Sequence, residues 1–148
     1  MAATVAIETE YLGTLDVQLA PPLHVGARLI FNGFEGTIKG PKISGTFVAP
    51  SGDWPVPQPD GSLRVDVRNS LKTDDGEFIF MEYNGVLAGS IDRLAKGETL
   101  TSKDVYFIVA PRFTTESKTY AWLNKLQAVG KVVSWDSKRL IYDIFAVR

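Results

Sequence analysis

The sequence predicts a mostly β protein, folded as a single closed antiparallel β-barrel of about eight strands with one short helix near residues 115–126. Three observations support this prediction: strand-length segments in which apolar and polar residues alternate, short turn signals between them, and a single helix candidate. Closure into a barrel is the economical arrangement because it leaves no unpaired strand edge. We predict one domain spanning residues 1–148.

The first part of the chain contains strand segments followed by a proline-rich stretch. We predict strands over 8–19, 27–40 and 43–50, and the glycines of the second segment indicate bulges or sharp coiling. The prolines within residues 51–61 predict a loop, because proline cannot donate a hydrogen bond to a strand ladder.

The second part contains the clearest alternation. Within the strand predicted over 62–71, apolar residues alternate with charged ones in the order Leu63, Arg64, Val65, Asp66, Val67 and Arg68. An Asp-Asp-Gly turn at 74–76 predicts a hairpin with the following strand. Residues 87–103 are polar and irregular, with room for one helical turn. A strand over 104–113, the helix candidate and a closing hairpin over 128–147 complete the barrel.

Two strands are apolar on both faces, over residues 78–83 and 105–109. The barrel interior covers one face of such a strand, and the other face needs a different cover. We therefore predict a homo-oligomer in which a second subunit supplies that cover. The alternative is a long loop lying over the barrel.

Composition and missing motifs exclude several classes of function. A net charge of −1 with scattered Lys and Arg indicates no nucleic-acid or membrane partner. The chain has no cysteine, and its one histidine, His24, is expected to be structural or exposed, so cysteine-based and paired-histidine metal sites are excluded. Glycine motifs for dinucleotides and phosphates are also absent. We predict no metal and no cofactor. With no signal peptide or membrane-spanning stretch evident, we predict a cytoplasmic location.

Five blocks occur in the order GPKISGTFVAPSGDW, DVRNSLKTDDG, YFIVAPRFTT, YAWLN and AVG. With these blocks, the chain from about Gly36 onward resembles the small β-barrel family catalogued as domain of unknown function 3237. The resemblance implies a calycin-like or allene-oxide-cyclase-like barrel that tends to oligomerise. Some fungal members also imply ring closure by addition of a hydroxyl across an alkene. The sequence departs from the family pattern at Ser51, usually glycine, and at Asn69, usually tyrosine.

The blocks contain three candidate catalytic residues, Asp66, Arg68 and Asp53. If Asp66 and Arg68 face the barrel interior, the arginine holds the carboxylate ionised or binds an anionic substrate, and a desolvated aspartate acts as general base. The competing interpretation places both on the outer face, solvated or bridging subunits. Asp53 either supplies acid or base at the mouth of a pocket or hydrogen-bonds its own turn.

Six residues are candidates for substrate binding: Trp54, Tyr120, Asn124, Tyr106, Arg112 and Asn69. Trp54 either forms the lip of a pocket or caps the barrel end, and Tyr120 either shapes a pocket or packs the helix. Asn124 either binds a ligand or satisfies backbone groups at the helix end.

The leading hypothesis is a cofactor-free acid–base enzyme acting on a small apolar organic metabolite: a cyclase, an isomerase, or a hydratase-type enzyme adding across a double bond. The alternative is a non-catalytic carrier that sequesters a lipophilic metabolite, and a third possibility is a structural oligomer with a filled interior. A charged group inside a cavity favours the enzyme, an entirely apolar cavity the carrier, and a solid interior the structural protein.

Overall fold

The computed structural model describes residues 2–32 and 35–148. Within them the chain forms thirteen strands, one four-residue α-helix and one 3-10 helix. The strands are β1 (Thr9–Gln18), β2 (Leu23–Val25), β3 (Arg28–Asn32), β4 (Glu35–Lys39), β5 (Ser44–Asp53), β6 (Val56–Pro57), β7 (Leu63–Thr73), β8 (Phe78–Gly89), β9 (Leu100–Thr101), β10 (Val105–Val109), β11 (Arg112–Thr114), β12 (Ala128–Trp135) and β13 (Arg139–Val147). The α-helix, α1, spans Asp92–Ala95, and the 3-10 helix spans Ala121–Lys125.

Eight of the strands in the described ranges close into an antiparallel barrel. Their order around the barrel is β1, β4, β5, β7, β8, β10, β12 and β13, and β13 pairs back onto β1. The β5–β7 ladder, which runs from Gly45 opposite Thr73 to Asp53 opposite Val67, closes the ring. The predicted closed barrel of about eight strands is therefore confirmed.

Side chains fill one end of the barrel, next to the β7–β8 turn. The residues packed there are buried and apolar, and they include Phe47, Leu71, Ile79, Met81, Phe113 and Leu123. Gly76 occupies the β7–β8 turn at φ +90°, a conformation that glycine adopts without strain, as the Asp-Asp-Gly signal predicts. The other end of the barrel is open enough to contain a cavity.

The helix predicted near residues 115–126 is reduced to the 3-10 turn at Ala121–Lys125. Side-chain hydrogen bonds tie the start of this segment to the barrel instead. The Asn124 side chain accepts from the Thr115 backbone N–H at 2.8 Å and donates to the Thr115 carbonyl at 2.9 Å. The Thr115 hydroxyl donates to the Phe78 carbonyl at 2.7 Å, which links this segment to β8. No helix in the described residues is long and apolar enough to cross a membrane.

The loop predicted over 51–61 is wrong in two places. Strand β5 continues to Asp53, and Val56–Pro57 form β6, which pairs with Leu63 and Arg64. Proline is tolerated in β6 because β6 is an edge strand. The consequence is that Asp53 lies on a barrel strand rather than in a loop.

The outer face of the barrel exposes several large apolar side chains. Phe78 is 63% exposed, Phe80 37% and Tyr106 59%. They lie on β8 and β10, two strands whose opposite faces point into the barrel. In the described part of the chain no loop buries these three side chains, so the predicted cover by a second subunit stays a prediction.

Candidate functional site

A cavity of about 320 Å³ occupies the end of the barrel opposite the β7–β8 turn. Inward-facing residues of β1, β7, β8, β10, β12 and β13 form its wall: Val17, Leu63, Val65, Val67, Leu87, Phe107, Trp135 and Leu140. Leu29 and Phe31 of the β2–β3 hairpin and Leu94 of α1 border its mouth. This size falls at the lower end of small-molecule pockets, which span roughly 300–1,000 Å³.

The carboxyl of Asp53 is the ionisable acid that the described residues place on this cavity. The Asp66 backbone N–H donates a hydrogen bond of 3.0 Å to Oδ1 of Asp53. Burial raises the pKa of Asp53 to about 6, the hydrogen bond from Asp66 opposes that shift, and the Asp66 carboxylate adds to it. Asp53 is only half-buried because part of its surface borders the cavity.

Two tyrosines stand beside Asp53 on the cavity wall. The rings of Tyr83 and Tyr142 meet edge to face, with centroids 6.3 Å apart, and their hydroxyls interact as a pair. Burial raises the pKa of both tyrosines, and the Asp53 carboxylate raises it further. Both hydroxyls therefore stay protonated at neutral pH. One donates to the other within the pair, which leaves the second proton for a further hydrogen bond.

Asn69 lies behind this pair and is fully buried. Its side chain sits against the Tyr83 hydroxyl and lowers the pKa of that tyrosine, a smaller effect than the rise caused by burial. Even so, neither amide atom makes a hydrogen bond of standard geometry with the described residues. A buried amide in this state is costly for stability.

An arginine forms hydrogen bonds between two segments at the mouth of the cavity. Arg28, at the start of β3, donates to the Pro55 carbonyl at 3.1 Å and to the Trp54 carbonyl at 3.2 Å. These bonds tie the β2–β3 hairpin to the segment that follows Asp53. An open surface groove adjoins the mouth and shares Phe31, Leu94 and Trp135 with the cavity.

The family follows from comparison with known proteins. The family model described as "Protein of unknown function (DUF3237)" matches residues 7–147. The chain belongs to this family. The UPF0311 protein RPA1785 of Rhodopseudomonas palustris is 29% identical over 97% of this chain and 99% of its own length. The UPF0311 protein blr7842 of Bradyrhizobium diazoefficiens is 27% identical over the same shares. The resemblance expected from the sequence blocks is confirmed.

Solved structures share the barrel fold of this chain. The structure of RPA1785 matches with a TM-score of 0.89 at 27% identity, covering 99% of this chain and 100% of that one. A β-barrel-like protein of Acinetobacter baumannii matches at 0.83 and 30% identity, covering 100% of both chains. A structure described as an enzyme from Penicillium herquei matches at 0.70 and 19% identity, covering 100% of this chain and 99% of that one. This last match shows the fold alone.

The inward position considered for Asp66 and Arg68 is wrong. On β7 the residues Val65 and Val67 are buried, whereas the side chains of Asp66 and Arg68 are 37% and 56% exposed on the outer face. The two charges form an ion pair of 3.7 Å there. The alternation of apolar and charged residues explains this orientation. Folding gains the most free energy when the apolar face of the strand is the buried one, and the charged face then points outward.

Trp54 also lies on the outer wall, and it does not line the cavity. It is 37% exposed, and Arg68 stacks over its ring at 5.4 Å from the centroid. A Cβ at Gly52 would lie 2.9 Å from the Trp54 ring, so glycine there makes room for the indole to lie back on β5. Trp54 contributes to the mouth of the cavity only through its backbone carbonyl, which accepts a hydrogen bond from Arg28.

Four further candidates lie away from the cavity. Tyr120 donates a hydrogen bond of 3.0 Å to Asp75 at the filled end of the barrel, and Asn124 bonds the Thr115 backbone. Tyr106 is exposed on the outer face, and Arg112 pairs with Glu82 at 2.8 Å on the surface. Of the nine candidates, the structure thus brings only Asp53 and Asn69 to the cavity or its immediate backing.

Sequence reasoning missed Tyr83 and Tyr142. Tyr83 shares its strand face with Ile79 and Met81, and Tyr142 shares its face with Leu140 and Ile144, so period-two alternation alone places both inside. The sequence signal that identifies them is a tyrosine, with its polar hydroxyl, on a strand face that is otherwise apolar and therefore buried. The described residues contain no group of three His, Cys, Asp or Glu side chains arranged to hold a metal ion.

Proposed function

We propose that this protein is an acid–base enzyme that binds a small, largely apolar organic molecule in the barrel, with Asp53 as the proton-transfer group. One observation carries the proposal: the carboxyl of Asp53 lies on a largely apolar cavity, where burial raises its pKa to about 6. An acid–base catalyst is most effective when its pKa lies near the working pH, because both protonation states are then populated.

The geometry suits a proton transfer within one bound molecule. Ionised Asp53 takes a proton from a hydroxyl or from a carbon next to a carbonyl, and the protonated carboxyl then returns it to another atom of the same molecule. The Tyr83–Tyr142 pair donates a hydrogen bond to oxygen as negative charge develops on it. In cyclisation, isomerisation and the addition of a hydroxyl across a double bond, the proton that Asp53 removes is returned to the same molecule. Each of these reactions can therefore proceed without a cofactor.

The structural neighbour from Penicillium herquei supports the view that a barrel of this shape can host catalysis, since that protein is described as an enzyme. At 19% identity, the similarity of that protein to this chain extends to the fold alone.

A carrier for a lipophilic metabolite is the second candidate, and the apolar wall of the cavity favours it. Val65, Leu87, Phe107 and Leu140 offer no hydrogen bond to a ligand. The presence of Asp53 distinguishes the two candidates, because burial of a carboxyl costs free energy that a purely apolar carrier avoids.

Native mass spectrometry of freshly purified protein, followed by turnover assays on the molecule it identifies, tests the proposal. We expect Asp53→Asn to bind that molecule and to lose at least 100-fold in rate, the low end of general acid–base effects. Asp66→Asn is the matched control, since its side chain lies across the barrel wall, and we expect it to retain activity. Unchanged turnover by Asp53→Asn, or binding without turnover by the unmodified protein, would overturn the enzyme proposal, and the second result would favour the carrier.

A further inference from the structure

We infer that the ligand is an electrically neutral, ring-containing molecule with a hydroxyl at its deep end, and that the cavity rejects carboxylates and phosphates. This inference rests on the proposed use of the cavity as the ligand site. It does not depend on whether the bound molecule is then converted.

The charge of the cavity excludes anions. None of the described residues that line it is Lys, Arg or His, whereas Asp53 supplies a carboxyl that is largely ionised above pH 6. Arg28, at the mouth, uses its guanidinium on the carbonyls of Trp54 and Pro55. An anionic ligand at the deep end would therefore lose its hydration next to a like charge, with no Lys, Arg or His among the described lining residues to compensate it.

The walls fit a flat ring system. Phe31 and Leu29 border one side of the mouth, and the rings of Phe107 and Trp135 meet edge to face at 5.4 Å between centroids. Aromatic walls of this kind favour offset or edge-on packing of another ring. A volume of about 320 Å³ limits the ligand to a compact molecule.

The deep end fits a hydroxyl. Ionised Asp53 accepts hydrogen bonds and cannot donate them, whereas the protonated hydroxyls of Tyr83 and Tyr142 do both. A ligand hydroxyl can donate to Asp53 and accept from a tyrosine at the same time. A ketone lacks the donor for Asp53, and a hydrocarbon would leave all three side chains without a new partner.

Three naphthalene probes of similar size test the inference: 2-naphthol, 2-naphthoate and 2-methylnaphthalene. Their dissociation constants are measured at pH 7.5 by NMR titration of isotope-labelled protein, which also shows which residues each probe contacts. We expect 2-naphthol to bind at the cavity residues at least ten times more tightly than either of the other two. Tyr83→Phe should weaken 2-naphthol binding by about threefold or more and leave 2-methylnaphthalene unchanged, because the bond to Asp53 remains while the tyrosine pair is broken. The control, Tyr106→Phe, changes a tyrosine on the outer face and should have no effect.

A second variant keeps the test decisive if Tyr83→Phe does not fold. Asp53→Asn removes the negative charge, so the affinity for 2-naphthoate should rise at least threefold relative to 2-naphthol. Equal or tighter binding of 2-naphthoate to the unmodified protein, perturbation away from the cavity, or no binding of any probe would overturn the inference. Because turnover is not measured, a preference for 2-naphthol stands even if Asp53 proves not to be catalytic.

Discussion

The backbone N–H of Asp66 donates to the Asp53 carboxyl across a distance of 3.0 Å, yet the two carboxylates lie on opposite sides of the barrel wall. Asp53 borders the cavity and is surrounded mainly by apolar side chains, whereas Asp66 pairs with Arg68 in solvent. Two aspartates that are linked by a single hydrogen bond therefore lie in different environments. Burial raises the pKa of Asp53 to about 6, a value suited to proton transfer near neutral pH.

The raised pKa of Asp53 makes a prediction about stability. The folded pKa of about 6 lies above the ordinary 3.8, so the folded protein binds more protons than the unfolded chain between those values. Stability therefore falls as pH rises from about 4 to 6 and stays lower above that range. Asn cannot ionise, so Asp53→Asn should be more stable than the unmodified protein at pH 7.5, by about 1 to 3 kcal/mol.

Urea unfolding of both proteins at pH 4 and pH 7.5 measures this difference. At pH 4 the two free energies of unfolding should nearly coincide, because Asp53 is protonated in the folded state. A variant that is less stable than the unmodified protein at pH 7.5 would show that the carboxylate is stabilised rather than strained by its surroundings.

A second prediction about stability concerns Asn69. Its amide is fully buried, and neither atom has a hydrogen-bond partner of standard geometry within the described residues. Asn69→Leu, a change to an apolar residue of similar reach, should therefore raise the free energy of unfolding by about 1 to 2 kcal/mol. Leu71→Asn, two residues along the same buried face, is the reverse control and should destabilise. Destabilisation by Asn69→Leu in urea unfolding would mean that the amide is bonded in solution.

Filling the cavity should block binding without harming the fold. Val65 lines the cavity and is 4% exposed. Val65→Phe should project its ring into the cavity, weaken 2-naphthol binding at least tenfold and leave the melting temperature within a few degrees. Val56→Phe, at a residue that is 39% exposed and outside the cavity, is the matched control. Retained 2-naphthol affinity in Val65→Phe would show that the probe binds elsewhere.

Self-association remains a prediction with a defined surface. Phe78 and Phe80 are exposed on the outer face of β8, and the ion pair of Glu82 with Arg112 lies beside them. A second copy related by a two-fold axis can set each of these charges opposite its complement while covering the phenylalanines. Light scattering should show a dimer or larger species that Phe80→Ser weakens and Val133→Ser does not. A monomer at all concentrations would contradict the prediction.

Much of the fold follows from the sequence because alternation and turn chemistry are local. The Asp-Asp-Gly turn between β7 and β8, the hairpin of β12 and β13, and the closed antiparallel barrel are all predicted correctly. The helix near residues 115–126 is longer in the prediction than in the structure, where the side chain of Asn124 donates to the Thr115 carbonyl that a helix beginning there would have used. The cytoplasmic location stays a prediction.

The candidate site is harder to predict because it depends on which strand face is buried. Charged family blocks draw attention to Asp66 and Arg68, but the free energy gained by burying Val65 and Val67 turns those charges outward. Asp53 faces inward because β5 extends through a stretch that its prolines mark as a loop. Tyr83, Tyr142 and Asp53 lie on three strands that are far apart in the sequence. No local sequence pattern therefore predicts that they line the same cavity.

The central claim is that Asp53 is a neutral-pH acid–base group inside a ligand-binding cavity. An NMR titration of the Asp53 carboxyl carbon, with and without 2-naphthol, tests it most directly. We predict a midpoint near pH 6 in the free protein, together with a clear change in that midpoint when the probe is bound. A midpoint near the ordinary value of about 4, unchanged by the probe, would contradict it.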